Sequence, residues 1–369
     1  MTLQLLERDF ESFFRVPFEV YPASLPYASM LKGDLKANLD PTKNPHWRVA
    51  EGTWFTAIKD GRPVGRIVCH LHRAANERFG EKAASFGFFD AIDDVEVARA
   101  LLTRAEEFGR ARGMTLLRGN MNLTANQEIG ILVEGEDQAP FVAQMFGPPH
   151  LGRLLEECGF ARTMPMTTFV KRDLQQFDPE SCLSPKHRSL LEDPAFTWRE
   201  FRMKRFDDDV EIVRDLLNDS MSANALFVPM TKDEARFQLG PLEQVLNPKL
   251  TRIAEHNGRP VAATLCTPDV NPLLRAMKSR LNPWTAIKFL LGRRKLKRAV
   301  IVIFLVRRDY HGRGIIGVLN RDLMKALKEG GYTELGVTWI SDTNQASLRQ
   351  VELLGCVRQH RLFMFEKRL

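Results

Sequence analysis

A run of residues near the end of the chain could do chemistry: Arg307-Arg308-Asp309-Tyr310-His311-Gly312-Arg313-Gly314-Ile315-Ile316-Gly317. It follows the longest apolar stretch, Ala299 to Val306, and precedes residues with apolar spacing of a helix. A strand, a glycine-rich turn and a helix start together make an anion site. The turn presents backbone N–H groups, the helix end carries partial positive charge, and glycine lets backbone approach a phosphate. Arg307, Arg308 and Arg313 add formal charge of a kind suited to phosphate.

Two copies of one unit position that loop. Residues 57–69 read AIKDGRPVGRIVC and residues 254–266 read AEHNGRPVAATLC. Gly-Arg-Pro-Val begins at Gly61 and again at Gly258, and Cys69 and Cys266 follow at equal distance. Gly159, Arg162, Phe169, Lys171 and Arg172 share their spacing with Gly355, Arg358, Phe365, Lys367 and Arg368. The interval from hairpin glycine to late glycine is 98 residues in the first copy and 97 in the second. Each copy predicts a β-hairpin. Strands are predicted over 82–89 and 299–306, and helices over 95–113 and 318–331, each helix stopped by glycine. The fold class is therefore α/β, as two tandem domains, 1–180 and 181–369, each a mixed central sheet flanked by helices. The polar, proline-punctuated stretch from Asp173 to Pro194 reads as the linker.

The glycine loop belongs to the second copy. In the first, the strand leads into Asp90-Ala91-Ile92-Asp93-Asp94-Val95-Glu96. These acids would repel a phosphate, so the first copy is expected to be a scaffold or substrate wall. Asp93 or Asp94 is available to cap the helix.

The chain has 369 residues, 44% apolar and 27% charged, as soluble globular domains do, and its net charge of +7 favours anionic partners. Five scattered cysteines without a CxxC pair argue against a disulfide framework and a zinc site, and fit a reducing compartment. No metal is expected, since no Cys/His cluster has ligand spacing. No nucleic-acid partner is expected, since the basic runs lack interleaved aromatics. The first residues carry early acids and do not read as a signal peptide, which implies a cytoplasmic protein.

An insertion over 270–298 is basic and apolar. From Val270 to Arg308 there is no acidic residue. Leu273, Leu274, Met277 and Leu281 share a helical face; Asn282-Pro283 then opens a second helix with Trp284, Ile287 and Leu291 in a stripe. Such helices suit peripheral contact of 273–298 with an anionic membrane. Core-packed helices with a solvated basic face, and added phosphate contacts, are the alternatives.

Residues 311–316 resemble the acyl-CoA pyrophosphate loop of the GNAT acyltransferase superfamily, Arg/Gln-x-x-Gly-x-Gly/Ala. Gly314 matches, while His311 and Ile316 depart from the pattern. Asn344 opens NQASLRQVELLGC, similar to the superfamily's next helix, whose asparagine approaches the pantetheine arm. Capping that helix is its other role. Pro268-Asp269-x-Asn271, the insertion, Trp339-Ile340-Ser341-Asp342-Thr343-Asn344, FGFFDAIDD (86–94) and GILVEG (130–135) together resemble the bacterial ceramide synthases.

This resemblance implies tandem GNAT-like domains, the first degenerate. It implies acyl-CoA as cosubstrate, held by Leu305, Val306, Arg307, His311, Gly312, Arg313, Gly314, Ile315, Ile316 and Asn344. The reaction implied is long-chain acyl transfer to the amine of a sphingoid base, 3-oxosphinganine, at the inner face of the inner membrane. Acetylation of a small soluble amine, or non-catalytic binding of CoA or lipid, are the alternatives.

Direct transfer needs oxyanion donors, expected at Leu305–Val306, and a general base. Asp342, closing a strand beside the cleft, is the first candidate base and Asp269 the second; each also reads as a cap or turn residue. His70 and His72 share a strand face and could line the cavity. The superfamily's thiolate-protonating tyrosine falls on Val351, so that role is vacant or another group such as Tyr310 or Ser347 fills it.

Overall fold

The computed structural model describes residues 2–224 and 226–369. Its strands are β1 (Leu3–Glu7), β2 (Ala50–Lys59), β3 (Arg62–His72), β4 (Ala83–Ala91), β5 (Leu116–Gly119), β6 (Ile131–Glu134), β7 (Ala161–Lys171), β8 (Phe196–Glu200), β9 (Arg252–His256), β10 (Arg259–Pro268), β11 (Arg298–Val306), β12 (Glu334–Ser341) and β13 (Val357–Arg368). Its α-helices are α1 (Phe10–Val20), α2 (Lys32–Leu39), α3 (Arg73–Phe79), α4 (Val95–Arg110), α5 (His150–Glu157), α6 (Phe206–Ser220), α7 (Lys232–Leu239), α8 (Asn271–Ala276), α9 (Pro283–Gly292), α10 (Ile315–Glu329) and α11 (Gln345–Leu353).

Two compact units form. The first holds the chain up to Thr167 with Asn271–Ala286 and His360–Leu369; the second holds Thr168–Val270 and Ile287–Gln359. Both Gly-Arg-Pro-Val copies make the expected hairpin. The β2–β3 turn has φ +50° at Asp60 and +77° at Gly61; the β9–β10 turn has +49° at Asn257 and +77° at Gly258. Two successive left-handed residues match the twist of the flanking strands.

The first unit's sheet runs β1-β2-β3-β4-β5-β13, with β6 also on β13. β4 and β5 are parallel and the neighbouring pairs antiparallel. The second unit runs β8-β9-β10-β11-β12, again with a single parallel step, β11 to β12, after antiparallel hairpin pairing. Helix α4 buries Val97, Leu101, Leu102 and Phe108 on its sheet; α10 buries Ile315, Leu319, Leu323 and Leu327 in the same manner. Each such side chain contributes roughly 1.5–3 kcal/mol by leaving water.

The repeated ends are exchanged. Residues of β13 from His360 on belong to the first unit, where they pair with β5 and β6. Thr168–Lys171 of β7 belongs to the second. Accordingly Gly159 has the Lys367 side chain beside it, and Gly355 has that of Lys171. The copies of the motif are complete only with each other's lysine.

The stretch that reads as a linker is folded. It forms 3-10 segments at Pro179–Cys182 and Pro185–Leu191. Cys182 and Leu183 are buried, and Glu180 pairs with Arg321 (2.8 Å) and Lys325 (2.7 Å) of α10. Two apolar residues and one acid anchor an otherwise polar segment.

Candidate active site

The parallel pairing of β11 and β12 covers Arg298↔Glu334 to Ile301↔Val337 and then stops. The Thr338 hydroxyl donates to the Val302 carbonyl (2.8 Å) where the strands part. β11 continues against β10 up to Val306↔Ala262, so its other edge borders a wedge. There the Val306 N–H donates to Ser220 Oγ at 3.4 Å, a long bond. Ser220 was not selected from the sequence. It is an ordinary serine at the end of α6, and only packing of that helix on β11 brings it here.

α10 begins at Ile315, three residues before the predicted start, because Ile315 and Ile316 are buried and complete its first turn. Its N-cap is Gly314, with φ +81°, and no side chain caps it among the described residues. Gly312 has φ +77°. Ile315 and Ile316 pack with Tyr310, Leu319 and Ala262. Their side chains therefore point inward, and Ile316 does not obstruct the amides where the superfamily has Gly or Ala.

The first unit has the same fork, but filled. Pairing of β4 with β5 ends at Ser85↔Arg118. Beyond it Asn122 Oδ1 accepts from the Phe88 N–H (2.7 Å) and Asn120 Oδ1 from the Phe89 N–H (3.1 Å). Asp94 caps α4, accepting from the Glu96 N–H (2.9 Å), and pairs with Lys59 (2.7 Å). Asp90 points inward to buried Arg66 (2.6 Å) and Asp93 pairs with Arg153. The acids thus do more than repel phosphate: the strand and helix donors that would meet a cofactor are already occupied.

Most charged side chains expected at the glycine loop are engaged elsewhere. Arg307 donates to the Pro260 carbonyl (2.8 Å) and pairs with Asp215. The Arg313 guanidinium lies over the Tyr310 ring, 4.6 Å from its centroid. His311 Nε2 is 3.2 Å from the Val306 carbonyl oxygen. Tyr310 is buried and its hydroxyl is 2.7 Å from His256 Nδ1, which makes it the loop's anchor. Leu305 is buried and Val306 half-buried.

Asp342 directly follows β12 beyond the fork and is half-buried. Asn344 caps α11, its Oδ1 accepting from the Ser347 N–H at 3.1 Å. Val351 is core. Asp269 does not join these residues. It is fully buried, ion-paired with Arg298 (3.1 Å), and lies at the start of β11. The seven residues of strand to the level of Ala262 and Val306 separate it from the loop by about 23 Å.

His70 and His72 are structural within the first unit. His70 Nε2 is 3.1 Å from the Met121 carbonyl, and His72 Nδ1 accepts from the Ala75 N–H at 3.1 Å. Burial pushes the His70 pKa down to about 4. Burial also pushes Cys182 and Cys356 up to about 12 and raises Cys69, Cys158 and Cys266. Protonated thiols are poor nucleophiles, so the cysteines are unsuited to carry an acyl group.

At 30% identity over 338 residues, 90% of this chain and 87% of the relative, the chain is similar to the bacterial ceramide synthase of Caulobacter vibrioides (strain NA1000 / CB15N). The chain belongs to the bacterial ceramide synthase family. Protein YghO of Escherichia coli (strain K12) is similar at 26% identity over 373 residues, 99% of this chain and 94% of that one. A tandem GNAT protein from the clavulanic acid biosynthesis pathway has a TM-score of 0.58 at 15% identity, covering 100% of this chain and 98% of its own. No family model matches. Membership of the ceramide synthase family makes the chain an N-acyltransferase, and the tandem GNAT fold is as expected.

Proposed function

We propose that the chain moves a long-chain acyl group from acyl-CoA to the amine of a sphingoid base, 3-oxosphinganine. The observation that carries this reading is the start of α10: two positive-φ glycines and no side-chain cap, after a strand that borders a wedge. The matching helix α4 is capped by Asp94. Open amides at a helix start favour a diphosphate, and among the described residues the second copy alone offers them beside a fork.

In this reading Gly312–Ile316 hold the diphosphate. The Asn344 amide NH2, not used in capping, meets the pantetheine arm. The thioester lies along β11, and its carbonyl oxygen takes the place of Ser220 Oγ at the Val306 N–H. The sphingoid ammonium loses a proton to Asp342. Its nitrogen forms the bond to the acyl carbon, the C–S bond breaks, and the second proton leaving the nitrogen passes through water to the thiolate, since Val351 offers none.

Purified protein given acyl-CoAs of graded chain length with 3-oxosphinganine is expected to turn over long chains at least ten-fold faster than acetyl-CoA. Mass spectrometry of the products reads this directly. Turnover of acetyl-CoA alone would replace this reading with acetylation of a small amine.

The insertion supports a membrane-resident acceptor. Leu281, Trp284, Ile287, Leu290 and Leu291 are exposed, Trp284 and Leu291 at 66%, and α9 buries no residue. Core-packed helices would not leave such a face in water. Arg280, Lys288, Arg293, Arg294 and Lys295 are exposed around it. No described helix is long and apolar enough to cross a membrane. This combination fits an interfacial helix on an anionic leaflet, such as the inner face of the inner membrane. Replacing Trp284 and Leu291 together with serine is expected to weaken binding to phosphatidylglycerol vesicles by at least roughly 100-fold, from about 1.5–3 kcal/mol per large apolar group. Binding of free CoA and the unfolding midpoint should not change. Unaltered co-sedimentation with the vesicles would remove the membrane role.

A further inference from the structure

We propose that His187 is the side chain that grips the acyl-CoA diphosphate, in place of the arginine or glutamine that the loop lacks at His311. The inference rests on the reading of Gly312–Ile316 as the diphosphate cradle. That cradle needs a side-chain partner, and three of the loop's own charged or polar side chains are turned elsewhere, leaving only exposed Arg308 at its outer edge. Arg307 is held by Asp215 and the Pro260 carbonyl, Arg313 lies on Tyr310, and His311 turns back to the Val306 carbonyl.

The group that does stand at the cradle comes from the segment that reads as a linker. The ring of His187 lies against Gly314: a β-carbon built there would come within 2.3–2.4 Å of three ring atoms. The placement is built rather than incidental. The preceding turn is tied to α10 by Glu180, which pairs with both Arg321 and Lys325. The Cys182 carbonyl oxygen approaches Gly317 so closely that a β-carbon there would lie 2.7 Å from it. Ser184 Oγ is 2.8 Å from His187 Nδ1 and orients the ring. When Ser184 donates to Nδ1, the ring's proton sits on Nε2, which becomes its donor.

The chemistry matches the ligand. A diphosphate carries negative charge between two phosphates, and uncapped helix amides supply only partial positive charge. An imidazole beside them donates a hydrogen bond, and at a pH where it is protonated adds a full positive charge. Glu180, the acid of the preceding turn, is ion-paired with Arg321 and Lys325. His187 therefore links the segment joining the sequence copies to cofactor binding.

The test is isothermal titration of the full-length protein with dephospho-CoA, which keeps the diphosphate and lacks the phosphomonoester that itself titrates near pH 6. The wild type is expected to bind several-fold more tightly at pH 6 than at pH 8. His187→Ala should bind about ten-fold more weakly at pH 6, with no pH dependence. His187→Lys should restore the affinity at both pH values. An alanine variant that binds as well as wild type, or better, would mean that the ring only fills or covers the site, and overturns the proposal. A wild type that binds no dephospho-CoA at either pH overturns the cradle reading and this inference with it. Binding lost in Gly314→Val but intact in His187→Ala overturns this inference alone.

Discussion

Replacing Gly314 with valine is expected to abolish acyl transfer while the protein stays folded. The residue has φ +81°, a conformation that costs a β-branched side chain on the order of 1–3 kcal/mol. A β-carbon there would also lie 2.3 Å from the His187 ring, so the loop must shift or the segment carrying His187 must lift. Either movement re-aims the first amides of α10. The strain is borne by an exposed turn, while Leu319, Leu323 and Leu327 continue to hold the helix to the core. At least a 100-fold fall in kcat/KM is expected, with the unfolding midpoint lowered by only a few degrees. Asp94→Ala, at the matching helix start of the first unit, should leave kcat/KM unchanged. Equal losses from the two substitutions would mean that the second copy is not the working one.

Deleting residues 360–369 is expected to unfold the first unit, although the cut lies at the far end of the chain. Phe365 is fully buried among Phe86, Leu154, Leu155 and Phe160, and losing such a side chain alone costs about 3–5 kcal/mol. The deletion also strips β5 of one of its two neighbouring strands and β6 of its pairing with β13. It removes Lys367, which donates to Glu106 (2.6 Å) and to the Cys158 carbonyl (2.9 Å). These losses together reach the whole stability of a typical domain, about 5–15 kcal/mol. Circular dichroism and partition between soluble and insoluble fractions would report it. A soluble, cooperatively unfolding product would refute the exchange of ends.

The candidate site was legible in parts. The strand before the loop and the two glycines could be read because a continuous apolar run and a Gly-x-Gly are local signals. The helix start was displaced by three residues, since Ile315 and Ile316 read as loop until the core they enter is known. Asp269 was misjudged for a related reason. Its neighbours in sequence resemble site motifs, yet antiparallel pairing of β10 with β11 carries it to the far end of the strand from Val306. Tyr310 carries a hydroxyl with the right chemistry, but His256, on a strand more than fifty residues earlier, already holds it.

By itself the sequence determined the duplicated hairpins, the strand and helix that follow each of them, and the half that carries the glycine loop. Turn chemistry and hydrophobic period act between residues a few positions apart. Tertiary structure alone decided which amides are left uncapped, that Asn120 and Asn122 fill the first fork, and that Ser220 and His187 stand beside the second. It also decided that each late glycine meets the other copy's lysine. These outcomes depend on contacts between elements separated by tens to hundreds of residues, and such contacts form only when whole faces are packed out of water.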